Sequence, residues 1–202
     1  TLAVRTTHME PLKHSLLALV CACASLGAGA ASPENANNNE PPRHEASELE
    51  LKAVYLLKFG DFVQWPANAF ATSDAPLIIA VAGADALAAV LEPLAQQKRV
   101  DGRGVQIRRL KRSEALSGAH IVFVAAGELE RLAVAQEALH GAPVLTVTDG
   151  SRATQPTGII NFVIRDNRVR FEIDAEAAEA AHLRISSKVL ALAVSVKGAR
   201  QR

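Results

Sequence analysis

Residues 157–174 read TGIINFVIRDNRVRFEID, and the fold turns on how this stretch closes on itself. With Asp166 and Asn167 as a two-residue turn, Ile160 faces Ile173, Phe162 faces Phe171 and Ile164 faces Val169. Strand residues alternate faces and directly opposed residues share one, so these apolar side chains make a single buried face. The other face carries Asn161 against Glu172, Val163 against Arg170 and Arg165 against Arg168. A slip of one residue would put charges into the core, so the register is well specified. Asp and Asn tolerate the positive φ that a tight hairpin turn demands.

Working outward, the segment before the hairpin alternates short apolar runs with amphipathic ones. Leu77–Ala82, Val105–Leu110, His120–Ala125 and Val144–Thr148 are expected strands. Helices are expected over about Glu48–Gln64, Ala84–Gln96 and Glu128–Leu139, with a turn at Asp101–Gly104 and a stop at Gly141. Trp65 precedes Pro66, which disfavours helical geometry before it and ends the first helix. A closing helix is expected from about Ala175 to Val196, with a break near Leu183. Continuous apolar strands separated by helices predict a single α/β domain. Its sheet is largely parallel and covered by helices on both faces, and the hairpin adds antiparallel strands near the C-terminus.

The chain has 202 residues, 49% of them hydrophobic, which is enough for one domain and its core. Lys and Arg number 22 against 21 Asp and Glu, and there is one Trp and one Tyr. That balance lacks the basic stripe of a nucleic-acid binder, and no nucleic-acid partner is expected. Met9 is the expected start, after an upstream extension Thr1–His8. Lys13 and His14, the apolar run Leu16–Leu26 and the small residues Ala28-Gly29-Ala30 then have the layout of a cleavable secretory signal. The run is shorter than the roughly 20 residues of a membrane span, so export without membrane insertion is expected. Val20-Cys21-Ala22 is a poor approach sequence for lipidation of Cys23. Cleavage after Ala30 removes both cysteines, Cys21 and Cys23, and with them any disulfide or thiol chemistry. Residues 31–47 are polar and expected to be a disordered leader. The domain is expected over 48–196, with a polar tail at 197–202.

Few residues suggest chemistry. His44, His120, His140 and His182 are isolated, whereas a metal site needs clustered ligands. There is no Gly-x-Ser-x-Gly elbow, and Gly83 alone does not make a dinucleotide loop. Ser186-Ser187-Lys188 is explained by a helix start with Ser as cap and Val189, Leu190, Leu192 and Val194 packing inward. No catalytic residue, metal or cofactor is expected. The candidate binding residues are few. Asp149 lies just past a buried strand, where it either binds or caps the next turn. Trp65 is a core anchor or a partner contact. Asn161, Arg170 and Glu172 share the polar hairpin face and suit a carboxylate or a partner side chain.

Several blocks resemble the YfiR family of periplasmic proteins. They begin with Ala53-Val54-Tyr55-Leu56-Leu57-Lys58-Phe59 and Phe62-Val63-Gln64-Trp65-Pro66. Val100-Asp101-Gly102-Arg103 and Ala119 to Val124 follow, then Val144 to Asp149, Gly158 to Phe162, Arg170 to Asp174 and Ile185-Ser186-Ser187. The blocks come in order from about Glu48 to Leu192. The resemblance implies a periplasmic, non-enzymatic regulator that tends to dimerise. It would bind the periplasmic sensor domain of an inner-membrane diguanylate cyclase and repress cyclic di-GMP synthesis, and so biofilm formation. The best-studied members carry periplasmic disulfides, which this chain has no cysteines to form once Ala30 is cleaved. A periplasmic small-molecule-binding protein is the alternative, favoured by a pocket where the loops after the strands meet the polar hairpin face.

Overall fold

The computed structural model describes residues 43–150 and 158–198. The expected signal, most of the leader, the loop 151–157 and the end of the tail lie outside the described residues. Fifteen elements follow in chain order. They are α1 (Arg43–Phe62), β1 (Val63–Gln64), β2 (Leu77–Ala82), α2 (Asp85–Gln96), β3 (Arg99–Val100), β4 (Arg103–Leu110), β5 (Ile121–Val124) and α3 (Leu129–Leu139). After these come β6 (Leu145–Asp149), β7 (Ile160–Arg165), β8 (Arg168–Asp174), α4 (Ala175–Ala180), β9 (Arg184–Ile185), α5 (Ser187–Leu190) and β10 (Ser195–Lys197).

The hairpin forms in the register that alternation requires: Ile160 opposes Ile173, Phe162 opposes Phe171 and Arg165 opposes Arg168. Asp166 and Asn167 take φ of 50° and 57° at its turn. Asp101 and Gly102, both at positive φ, turn β3 back into β4 in the same way. The eight-stranded sheet has the order β10-β8-β7-β6-β5-β2-β4-β3. Only β7–β8 and β3–β4 pair antiparallel; the other joins are parallel.

One face of the sheet presents Leu77, Ile79, Ile121, Phe123, Leu145, Val147, Ile160 and Phe162 to Ala53, Leu56 and Phe59 of α1 and to Leu87 and Leu91 of α2. The other presents Ala80, Ala82, Val122 and Val124 to Leu132 of α3. Full burial of each large apolar side chain contributes about 1.5–3 kcal/mol. Tyr55 and Phe59 of α1 lie over Phe162 and Phe171, with ring centroids 5.3–6.1 Å apart. Gly60 lets α1 approach closely, since a Cβ there would stand 3.0 Å from Leu77 and 3.1 Å from Val100.

The ends of the domain differ from the sequence reading. α1 begins at Arg43 and stops at Phe62, because Val63–Gln64 leave it to pair with β9. The long closing helix is replaced by α4, β9, α5 and β10. His182, at φ 57°, turns the chain out of α4. Arg184–Ile185 then satisfy β1, and Val194 N–H bonds the Phe171 carbonyl to bring β10 alongside β8. Ser186 caps α5 by accepting from Lys188 N–H, as its position suggested. Val189 packs inward, but Leu192 and Val194 are 64% and 46% exposed. One helical turn followed by extended chain gives them no common inward face.

Candidate functional site

The polar hairpin face divides into two places. Asn161 and Glu172 line a shallow cavity of about 360 Å³ with Asp174, Ser195 and Lys197. Arg170 lines a different groove, of about 280 Å³, with Glu48, Leu51, Tyr55, Ile164, Val169 and Arg168. The trio of Asn161, Arg170 and Glu172 therefore does not converge on one pocket. Asn161 is only 4% exposed, and its Oδ1 accepts from the buried Thr148 hydroxyl at 2.8 Å. A Cβ at Gly150 would overlap the Asn161 amide, so the chain after β6 lies tight against it. Glu172 receives Arg165 at 3.4 Å.

Asp174 caps α4, accepting from Ala177 N–H at 2.9 Å, and pairs with Lys197 at 3.1 Å. Burial works against its charge, but these two contacts outweigh that and hold its carboxyl below the ordinary value. The same pairing holds the Lys197 ammonium above its own.

Asp149 ends β6 at the carboxyl edge of the parallel strands, where α/β sheets commonly place functional groups. Its Oδ2 receives Lys52 Nζ at 2.8 Å, and the same ammonium reaches Glu48 at 2.5 Å. Lys52 is 3% exposed, a buried cation held between two partly exposed carboxylates. Lys52 was not among the residues that sequence singled out. Its signal was a lysine at the spacing of Leu49, Ala53, Leu56 and Phe59, on the inward face of α1.

Trp65 stands between two open cavities at the amino edge of the sheet. Gln64, Trp65 and Pro66 line both. The first, about 490 Å³, adds Glu179, His182 and Arg184, and the second, about 690 Å³, adds Phe70, Asp101 and Arg103. The Trp65 ring meets His120 edge-on, His120 stacks on Phe70 at 4.2 Å, and the Arg103 guanidinium covers Phe70 at 4.0 Å. Ile78 N–H donates to His120 Nδ1 at 3.0 Å, so Nε2 carries the proton and donates to the Ala69 carbonyl at 3.1 Å. Burial chiefly, and the Arg103 charge, hold this imidazole below its ordinary pKa, against the carbonyl contact that favours protonation. His120 is thus a neutral structural group. The buried Trp65 indole N–H has no hydrogen-bond partner among the described residues.

Among the described residues, no group of three His, Cys, Asp or Glu side chains is placed to hold a metal ion. None of their helices is long and apolar enough to cross a membrane. The four cavities described above are open and each is rimmed by charged side chains. Comparison with known protein families matches residues 49–194 to the family described as YfiR/HmsC-like. Comparison with curated proteins returns no match.

Proposed function

From the premise that this chain belongs to the YfiR/HmsC-like family, we infer that it is a non-enzymatic periplasmic regulator. In this reading it binds the periplasmic sensor domain of an inner-membrane diguanylate cyclase, as a homodimer, and restrains cyclic di-GMP synthesis. The observation that carries the reading is the extent of the family match, 49–194, which runs from within α1 to the residue before β10. The open, charge-rimmed grooves suit protein contact better than enclosure of a substrate. Deleting the gene is expected to raise cellular cyclic di-GMP, and re-expression to lower it again. Unchanged nucleotide levels in cells that normally make the protein would refute the reading.

A second reading, small-molecule binding, is favoured by the two cavities that share Trp65. A ligand that binds the folded state raises its melting temperature. A thermal-shift screen of the purified protein against metabolites tests it, and a flat screen counts against it.

A further inference from the structure

The outer edge of the hairpin is incompletely covered. β10 pairs with β8 only from Glu172 to Asp174, so Arg168–Arg170 have no strand outside them among the described residues. The Phe171 carbonyl accepts from Val194 N–H on that outer side. Backbone direction alternates along an antiparallel strand, so Val169, two residues earlier, also turns its N–H and C=O outward. Beneath this open edge lies the 280 Å³ groove, lined by the apolar Leu51, Tyr55, Ile164 and Val169 and by Glu48, whose carboxylate is already taken by Lys52. Leu51 is 38% exposed there. Arg165 is taken up by Glu172, but neither Arg168 nor Arg170 has a carboxylate partner among the described residues.

We propose that the open end of β8 receives an extended acidic segment of a protein partner, added as a further strand. Its alternate residues would divide between the two faces, apolar side chains over Leu51 and Tyr55 and carboxylates toward Arg168 and Arg170. The spacing of roughly 6.6–6.8 Å between every second residue of a strand matches the spacing of these two arginines. Main-chain bonds to Val169 supply affinity, and the groove and the arginines select the sequence. The charge left unpaired on Arg168 and Arg170 is what commits the occupant to an acidic segment. This deepens the regulatory reading above and rests on it for the identity of the partner.

The probe is a fluorescein-labelled acetyl hexapeptide amide of alternating Glu and Leu, with an alternating Lys and Leu peptide as control. Both are titrated into the full purified chain by fluorescence polarisation at low salt. The acidic peptide is expected to saturate and the basic one to bind about ten-fold more weakly or worse. R168E/R170E is expected to reverse that preference, and the milder R168Q/R170Q to abolish it, with melts confirming folded protein. Absence of saturable binding, or an unchanged preference in both arginine variants, overturns the proposal. In cells the two readings separate. If deletion raises cyclic di-GMP and R168E/R170E still restores repression, the docking edge is wrong and the cyclase reading stands. If deletion has no effect, the cyclase reading fails and the peptide titration alone decides the edge.

Discussion

Phe162→Ala tests the core on which the hairpin is built. The ring is fully buried. It lies 6.0 Å from Phe59, 6.1 Å from Tyr55 and 6.3 Å from Phe123, so three rings from α1 and β5 enclose it. Removing it forfeits the transfer free energy of the ring and leaves a cavity. Large aromatic-to-alanine changes in cores cost about 3–5 kcal/mol. The upper half of that range applies here, because the surrounding rings are held on a helix and on a central strand of the same sheet, which collapse poorly into a void. For a domain of this size each kcal/mol lowers the melting temperature by about 2–4 °C, so a drop on the order of 10–15 °C is expected. Since total stability is typically about 5–15 kcal/mol, expression should fall as well. The assay is paired urea and thermal denaturation of wild type and variant, with the urea slope unchanged. A loss below about 1 kcal/mol would mean that the ring is not sealed between α1 and the sheet, and the packing described above would be wrong.

Gly150→Ala is expected to cost about 1–3 kcal/mol by pressing a methyl into the Asn161 amide, and adding Asn161→Ala should recover part of that loss; strict additivity in denaturant melts would refute the contact. His120, held below its ordinary 6.5 in the fold, takes up its proton in the unfolded chain first, so stability should fall as pH drops from about 7 through 6.5 toward the folded value. Melts of His120→Gln should lack that slope, though Asp174, with its lowered carboxyl pKa, still adds a loss below its ordinary 3.8. Asp149→Asn should destabilise more than Lys52→Met. The first leaves the buried ammonium short of a partner, whereas the second removes the buried charge itself; the reverse order would show that Asp149 does not compensate Lys52.

The hairpin, its register and the central strands were legible because period-two alternation and Asp-Asn turn chemistry agree with tertiary burial. β2 falls where its apolar run begins and ends, Leu77–Ala82. The C-terminal quarter was not legible in the same way. Ala175–Ala193 is rich in Ala and Leu, which local propensity assigns to helix, yet the chain gains more by pairing Arg184–Ile185 with Val63–Gln64 and Ser195–Lys197 with β8. Such pairings are set by residues more than a hundred positions away or across a turn, and propensity carries no information about them. The candidate site was half visible. Alternation correctly put Asn161, Arg170 and Glu172 on one strand face, but it says nothing about what lies beyond the sheet edge. There the open end of β8 draws Arg170 into a groove shared with α1, and the chain at Gly150 closes over Asn161.

The buried lysine links these places physically. Glu48 lines the groove beside Arg168 and Arg170 and also grips Lys52, which in turn holds Asp149 at the end of β6. Lys52 is almost shut off from water, and both carboxylates pair with its ammonium. Glu48 is the more exposed of the two, its side chain 35% exposed against 24% for Asp149. Under the docking proposed above, an acidic occupant pairing with Arg168 and Arg170 would also repel Glu48 and press it toward Lys52. Among the described residues, the amino edge has no such chain of ion pairs. His120 spends both ring nitrogens on backbone groups, and Arg103 spends its guanidinium on Thr72, Ala75 and the Phe70 ring. A change at Trp65 therefore meets groups already committed to backbone and ring partners, whereas a change at the hairpin edge meets Arg168 and Arg170, which have no carboxylate partner among the described residues.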